Sequence, residues 1–396
     1  MKAAFGLLWV ANTASQFGAR IGSVAIPLLA IGALAASPLD MGLLNAAQNA
    51  GFLLVGLPVG AIVDRVRRRR LLLSMDLVRA LLLAAVPVGA FTGRLTLGAL
   101  VAVVLAIGVA NACFDLAQQA YLPRLVGIER IVEANARLQT SNSVAVASGP
   151  GIGGALAGLL GAAGTVLLTS ATFVASFAAL RRIHHVEPMP ASARRRLPAE
   201  IGEGLRFVLT DPVLRAIALC TASANLFMAA ILSQLVVFLV RVVELPAPAV
   251  GILVASSGVG GVIGAATARR WVTVLGQART IWLALLVTQP FALLLPLAHR
   301  DALPLAFVVG WLVIGYGSTL YNVVQVSYRQ TACPDHLLGR VQASNRFLAW
   351  GTMPLGGLLG GALGATLGPR GALFVGAVGL IASTFWLTLS PLPRVG

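Results

Sequence analysis

The sequence predicts an all-α polytopic membrane protein of twelve transmembrane helices in two pseudo-symmetric six-helix bundles, and three observations predict it. Of 396 residues, 58% are hydrophobic and 11% charged, with a mean hydropathy of +0.89, where a soluble domain carries about 25% charge. Apolar stretches of about twenty residues, the length that crosses a hydrocarbon core, recur from Phe5 to Leu389 with brief polar breaks. Basic residues collect in alternate breaks.

Apolar windows bounded by Gly, Pro and charge place the first six spans near 5–34, 41–63, 71–91, 96–121, 135–160 and 163–180. A second six fall near 213–240, 247–268, 278–298, 303–328, 338–366 and 370–390. Lys2, the following apolar run and Ala33-Leu34-Ala35 imitate a cleavable secretory signal. Residues 5–34 are far longer than a signal core and are interrupted by Gln16 and Arg20, so they read as an uncleaved first span. The predicted organisation is a bundle over 1–180, a cytoplasmic linker over 181–212 and a second bundle over 213–396. The linker carries Arg181-Arg182, His184-His185 and Arg194–Arg196, then a short amphipathic helix from Pro198 with Ile201, Leu205, Val208 and Leu209 on one side.

A net charge of +16 would point to nucleic acid in a soluble domain. Here, with both termini inside, 24 of the 29 Lys and Arg fall on the cytoplasmic side. Only Arg94, Arg241, Arg300 and Arg370 fall outside, and Arg20 lies within a span. The charge is therefore a topology signal with some contact to anionic lipid, and a nucleic-acid partner is excluded. The expected location is the cytoplasmic membrane, as a multi-pass monomer.

The halves resemble each other. Phe114-Asp115-x-x-Gln118-x-x-Tyr121 matches Tyr321-Asn322-x-x-Gln325-x-x-Tyr328, and Ile152-Gly153-Gly154-x-x-x-Gly158 matches Leu355-Gly356-Gly357-x-x-x-Gly361, with Pro150 and Pro354 before the glycines. Gly56-x-x-x-Gly60 matches Gly260-x-x-x-Gly264. Three matches in chain order indicate a duplication, which places a substrate site between the halves near the midplane.

Ionisable groups inside a membrane are costly and therefore functional candidates. Asn12, Gln16 and Arg20 form one stripe on span one, and Asn111, Asp115 and Gln118 another on span four. Two readings of Asp115 stand: a proton-binding carboxylate, or a structural partner for Arg79 or Arg137. The neutral Asn322 at the equivalent place shows that the architecture does not demand an ion there. Arg20 reads either as an anion contact or as a structural charge. Asp76 and Arg79 are spaced to pair on one face of span three. With Gln16, Arg20, Asn111, Gln118, Asn225, Gln234, Asn322 and Gln325 supplying polar contacts, the substrate cavity is sparsely polar.

The remaining chemistry is narrowed by exclusion. Lys2 is the only lysine and no phosphate-binding Gly-x-x-x-x-Gly-Lys run exists, so nucleotide hydrolysis is excluded. Metal-protease and serine-hydrolase signatures are absent, and no cofactor is implied. Cys113, Cys220 and Cys333 lack paired spacing and read as small core residues, without disulfide or metal. The four histidines, His184, His185, His299 and His336, fall at loop positions.

Gly60-Ala61-Ile62-Val63-Asp64-Arg65-Val66-Arg67-Arg68-Arg69 resembles the loop signature of the major facilitator superfamily called motif A, with Gly60, Asp64, Arg65, Arg68 and Arg69 at matching positions and Arg67 where that pattern has a second glycine. Gly149-Pro150-x-x-Gly153-Gly154 resembles the exporter-associated motif C, with Ala145 in place of its upstream glycine. Glu203-Gly204-Leu205-Arg206-Phe207-Val208, Asp211-Pro212, Ser15-Gln16-Phe17-Gly18 and Ala120-Tyr121-Leu122-Pro123 are similar to the branch that contains macrolide-efflux proteins and the enterobactin exporter. The resemblance implies a non-enzymatic secondary transporter working by alternating access; with proton coupling, Asp115 is the candidate carrier from the residue reading above. Its cargo would be an amphipathic or drug-like molecule such as an antibiotic or siderophore. Motif A would serve as a gating loop. The alternatives are import or lipid transport on the same scaffold, and a membrane binding protein without transport.

Overall fold

The computed structural model describes residues 2–63, 66–127, 130–184, 197–299, 304–333 and 335–394. Among them the chain is helical with no strand, in the order α1 (Lys2–Ala33), α2 (Pro38–Val63), α3 (Arg68–Phe91), α4 (Leu97–Val126), α5 (Ile131–Arg181), α6 (Leu197–Thr210), α7 (Pro212–Val237), α8 (Ala247–Thr288), α9 (Pro304–Ala332), α10 (Asp335–Ser383) and α11 (Phe385–Thr388). Eight of the described helices are long and apolar enough to cross a membrane.

Three of these are folded over at a single glycine. Gly161 in α5, Gly276 in α8 and Gly368 in α10 share almost one conformation, φ 72 to 79° and ψ 165 to 166°. L-residues avoid that region, so only glycine joins two helical arms without a loop. The breaks fall between expected spans 135–160 and 163–180, 247–268 and 278–298, and 338–366 and 370–390.

Other boundaries follow from local chemistry. Ser37 and Asp40 cap α2 reciprocally, Asp40 Oδ2 accepting from the Ser37 amide at 2.8 Å while Ser37 Oγ accepts from the Asp40 amide at 3.3 Å. Asp211 caps α7, accepting from the amides of Val213 and Leu214 at 2.8 Å each, with Pro212 opening the helix. The last turn of the α7 span is a π-helix, Phe238–Val242, and the second arm of α8 ends in a 3-10 turn, Gln289–Leu294. His336 stands in the first turn of α10 and not in a loop, because that helix begins at Asp335.

The chain forms two compact units. The first comprises residues 1–36, 47–195 and 246–252, and the second 37–46, 196–245 and 253–396. In the first, α1 packs along α5, and α3 packs on both α4 and α5. Its core includes Leu8, Leu72, Phe114, Tyr121 and Leu180. In the second, α7 packs along α10, and α6 lies on α10 and α7. Val208 of α6 is buried among Leu214, Ala218, Cys333 and Val341, whereas Leu209 is exposed. The linker residues 185–196, with His185 and Arg194–Arg196, lie outside the described residues.

Candidate functional site

The densest polar chemistry of the described residues lies inside the first unit. Asp76 and Arg79 are three residues apart on α3, which puts both on one helix face. The face is turned inward, with Asp76 0% and Arg79 2% exposed. Arg79 Nη2 donates to Asp76 Oδ1 and Arg79 Nη1 donates to Asn111 Oδ1 of α4 at 3.0 Å. Ser176 Oγ of α5 donates to the other Asp76 oxygen at 2.6 Å. The guanidinium is held between the Phe114 and Phe173 rings, 4.2 and 4.5 Å from their centroids. Two charges removed from water are tolerable only when paired and bonded in this way.

Two further charges, Arg20 and Asp115, belong to the same unit. Asp115, half-buried beside Phe114 and one turn beyond Asn111, interacts electrostatically with Arg79 and with Arg20 of α1. Arg20 is half-buried, its Cβ against the backbone of Gly149, and its Nε has no hydrogen-bond partner among the described residues. Arg137 pairs instead with Glu133 at 2.8 Å in an exposed position, so the Arg137 reading of Asp115 gives way to Arg79 and Arg20.

Beside this cluster is a cavity of about 40 Å³ whose polar lining is Ser23, Gln48, Asn111 and Thr169, closed by Gly22, Ile107 and Phe173 among others. It is large enough and polar enough for water but far smaller than a drug site. Asn111 connects the cavity to Arg79, since the same side chain lines one and bonds the other. Gln16, Arg20 and Gln118 do not line it.

The expected polar residues of the second unit are engaged within that unit. Asn225 Nδ2 donates to the Ala349 carbonyl at 2.7 Å, Gln325 Nε2 to Asn322 Oδ1 at 3.4 Å, and the fully buried Gln234 through Nε2 to the Pro38 carbonyl at 2.8 Å. Tyr321, equivalent to Phe114, shares a 2.7 Å hydrogen bond with Thr221.

Of the motif A positions, Asp64 and Arg65 lie outside the described residues, and Gly60 is placed only as part of α2. Arg68 is buried. Arg69 donates to the carbonyls of Leu180 (3.2 Å) and Arg181 (2.6 Å), the last of α5, whose orphan acceptors and negative dipole end favour a cation. The motif C glycines serve close packing on two sides. A Cβ on Gly153 would stand 2.8 Å from the Ile21 carbonyl oxygen of α1, and one on Gly154 2.5 Å from that of Ala247 in α8. Pro150 sits inside α5, and its carbonyl oxygen faces Gly251. Gly356 and Gly357 repeat the arrangement, against the Leu226 carbonyl of α7 and Ala46 of α2.

Sequence reasoning missed Thr169, Phe173 and Ser176 as site residues. A signal was present, because Thr165, Thr169, Thr172 and Ser176 recur at helical spacing through an apolar arm. Among the described residues no cluster of three His, Cys, Asp or Glu has metal-binding geometry.

The whole chain, residues 1–396, matches the family described as transmembrane secretion effector, MFS_3. It is 32% identical over 381 residues to the multidrug efflux pump Tap of Mycolicibacterium fortuitum, covering 91% of this chain and 89% of Tap. It is 26% identical over 394 residues to the enterobactin exporter EntS of Shigella dysenteriae, covering 98% and 89% of the two chains. The fold is similar to that of a mutant of the nucleoside transporter NupG, with TM-score 0.80, 12% identity and coverage of 98% and 99%. It is also similar to a bacterial homologue of the iron transporter ferroportin in an inward-facing state, with TM-score 0.78, 15% identity and coverage of 98% of each chain.

Proposed function

The chain belongs to the transmembrane secretion effector family of major facilitator transporters, and from this we propose that it exports an amphipathic, drug-like small molecule in exchange for protons. Family membership makes it a multi-pass membrane transporter and not an enzyme. Export is supported by relatives that are efflux pumps and exporters and by a motif C helix whose glycines are used in packing. Proton coupling is our reading of one observation: Asp115 stands in an apolar bundle within electrostatic reach of two arginines, Arg20 and Arg79. A carboxylate so placed gains a proton when a cation moves away and loses it when one returns, which is how a protein exchanges a proton for another step. Alternating access supplies the step. Gln16, Arg20 and Gln118 are assigned to cargo contact in the first bundle, and motif A to gating. The excess of arginine on one side supports a cytoplasmic-membrane location with both termini inside.

The test is substrate-driven proton movement in liposomes holding the purified protein, across lipophilic antibiotics, dyes and siderophores. Proton release on adding a compound, abolished in folded Asp115→Asn, is the expected result. Coupled transport that continues unchanged in Asp115→Asn overturns the assignment of Asp115.

A further inference from the structure

The second unit also buries an arginine, and among the described residues nothing bonds its guanidinium. Arg329, in the last turn of α9, is 7% exposed, and its Nε and Nη1 are buried without a hydrogen-bond partner. Tyr321 lies within electrostatic reach, but its hydroxyl is bonded to Thr221 at 2.7 Å. One turn before Arg329 on the same helix face, Gln325 is 2% exposed, and its Oε1 accepts from no described residue. Its Nε2 donates to Asn322 Oδ1 at 3.4 Å, and Asn322 is exposed. A polar stripe thus runs from an open end at Asn322 to the buried groups of Gln325 and Arg329.

Buried polar groups are as a rule satisfied, and a buried cation without a counter-charge is costly. Arg79 of the first unit shows the usual solution, bonded by Asp76 and Asn111. In the second unit the described carboxylates of Asp40 and Asp211 are used as helix caps, and that of Glu244 stands before α8. Nor does the architecture demand an arginine, because the repeat that aligns Phe114 with Tyr321 puts Leu122 at the place of Arg329. Water would satisfy the N–H groups and leave the charge, whereas an anion satisfies both.

We propose that Arg329 and Gln325 form a cargo-recognition site for an oxyanion, the guanidinium binding the anionic oxygen and Gln325 Oε1 accepting from a hydroxyl or N–H beside it. This rests on the reading of the chain as an exporter and narrows its cargo to amphipathic acids with a hydrogen-bond donor next to the acidic group. The guanidinium is a planar fork that matches such a group. Side chains four apart on a helix start about 6 Å from each other, so both reach one small acidic function.

The experiment is equilibrium binding of radiolabelled probes to the purified full-length protein in phosphatidylcholine nanodiscs at neutral pH. Salicylate carries a hydroxyl beside its carboxylate, benzoate lacks the hydroxyl, and methyl salicylate lacks the charge. Arg329→Leu is expected to weaken salicylate at least about tenfold and to leave methyl salicylate unchanged. Gln325→Leu is expected to weaken salicylate severalfold and to leave benzoate unchanged. With no anion present, Arg329→Leu is expected to unfold at or above the parent midpoint, since it removes a buried charge that nothing pairs. A lowered midpoint makes Arg329 a structural group and overturns the site. So does a parent that binds no salicylate, or equal salicylate affinity in parent and Arg329→Leu, and either leaves proton-coupled export standing. Inorganic phosphate, and phosphatidylglycerol added to the nanodiscs, separate the sources of the anion, and both are expected to leave salicylate affinity unchanged. Loss of salicylate binding to either, with stabilisation of the parent and not of Arg329→Leu, makes the anion free phosphate or a lipid headgroup and overturns the cargo assignment. Salicylate binding as expected, with no compound transported in liposomes, instead overturns export and leaves the acid site.

Discussion

Gly154 of α5 and Gly251 of α8 meet backbone to backbone: a Cβ on Gly154 would stand 2.7 Å from the Cα of Gly251, and one on Gly251 2.6 Å from the Pro150 carbonyl oxygen. The atoms in the way are main-chain atoms, which cannot rotate aside as a flexible side chain would. Gly154→Val is therefore expected to destabilise the protein by about 1–3 kcal/mol through overpacking and to slow transport by disturbing the helix contact. Gly6→Ala, with nothing within 4 Å, is the control expected to behave as the parent. Unfolding in detergent and dye efflux from cells measure the two effects, and equal behaviour of the two variants contradicts the packing role.

Arg79→Met leaves the Asp76 charge buried without its cation. The expected loss is about 3–5 kcal/mol of stability, seen as a lowered unfolding midpoint and poor recovery of folded protein. Arg79→Lys is expected to rescue little, since one ammonium cannot span Asp76 and Asn111 while lying flat between the Phe114 and Phe173 rings. Full rescue by lysine would reduce the site to a simple charge.

Gly368→Ala forces a Cβ into a backbone conformation of φ 74° and ψ 166°. The expected cost is about 1–3 kcal/mol, although the surroundings are open to the added methyl. Thermal unfolding of this variant and of Gly161→Ala and Gly276→Ala should give similar losses, because the three breaks share one geometry. A variant as stable as the parent would show that the backbone relaxes there.

Arg69→Met removes both bonds to the carbonyls that end α5. The last turn of that helix is then expected to fray, with amide hydrogen exchange there rising severalfold and no change at the far end of the helix. Unaltered exchange would assign Arg69 to another task.

Much of this structure is legible in the sequence because glycine and charge are loud signals in an apolar chain. Gly161, Gly276 and Gly368 lie in the gaps between neighbouring spans read from hydropathy alone. The repeat of Gly153-Gly154 at Gly356-Gly357 is met by a repeat of contacts, each first glycine against a carbonyl of α1 or α7 and each second against α8 or α2. The pairing of Asp76 with Arg79 follows from their spacing.

The meeting of Arg20, Asp76, Arg79 and Asp115 is not legible in the same way. They come from three helices that are apolar on nearly every side, so residue periodicity does not fix which face turns toward which neighbour. Asn111, expected to contact cargo, is engaged by Arg79 while also lining a small cavity. Gln234 is wholly buried against Pro38, a carbonyl nearly two hundred residues away that no local pattern announces. Phe173 and Ser176 went unassigned for the same reason, since their roles exist only once α5 is laid on α3.

Arg20, Asp76, Arg79 and Asp115 sum to zero in their ordinary ionised forms. A membrane voltage does work only on net charge that moves across it, about 2.3 kcal/mol per elementary charge per 100 mV. A movement that carries these four groups together while all are ionised gives the voltage no hold on them. One bound proton makes the set a monocation, and the potential then pulls it inward. On the proposed proton exchange through Asp115, these four groups feel the voltage in the protonated stroke alone.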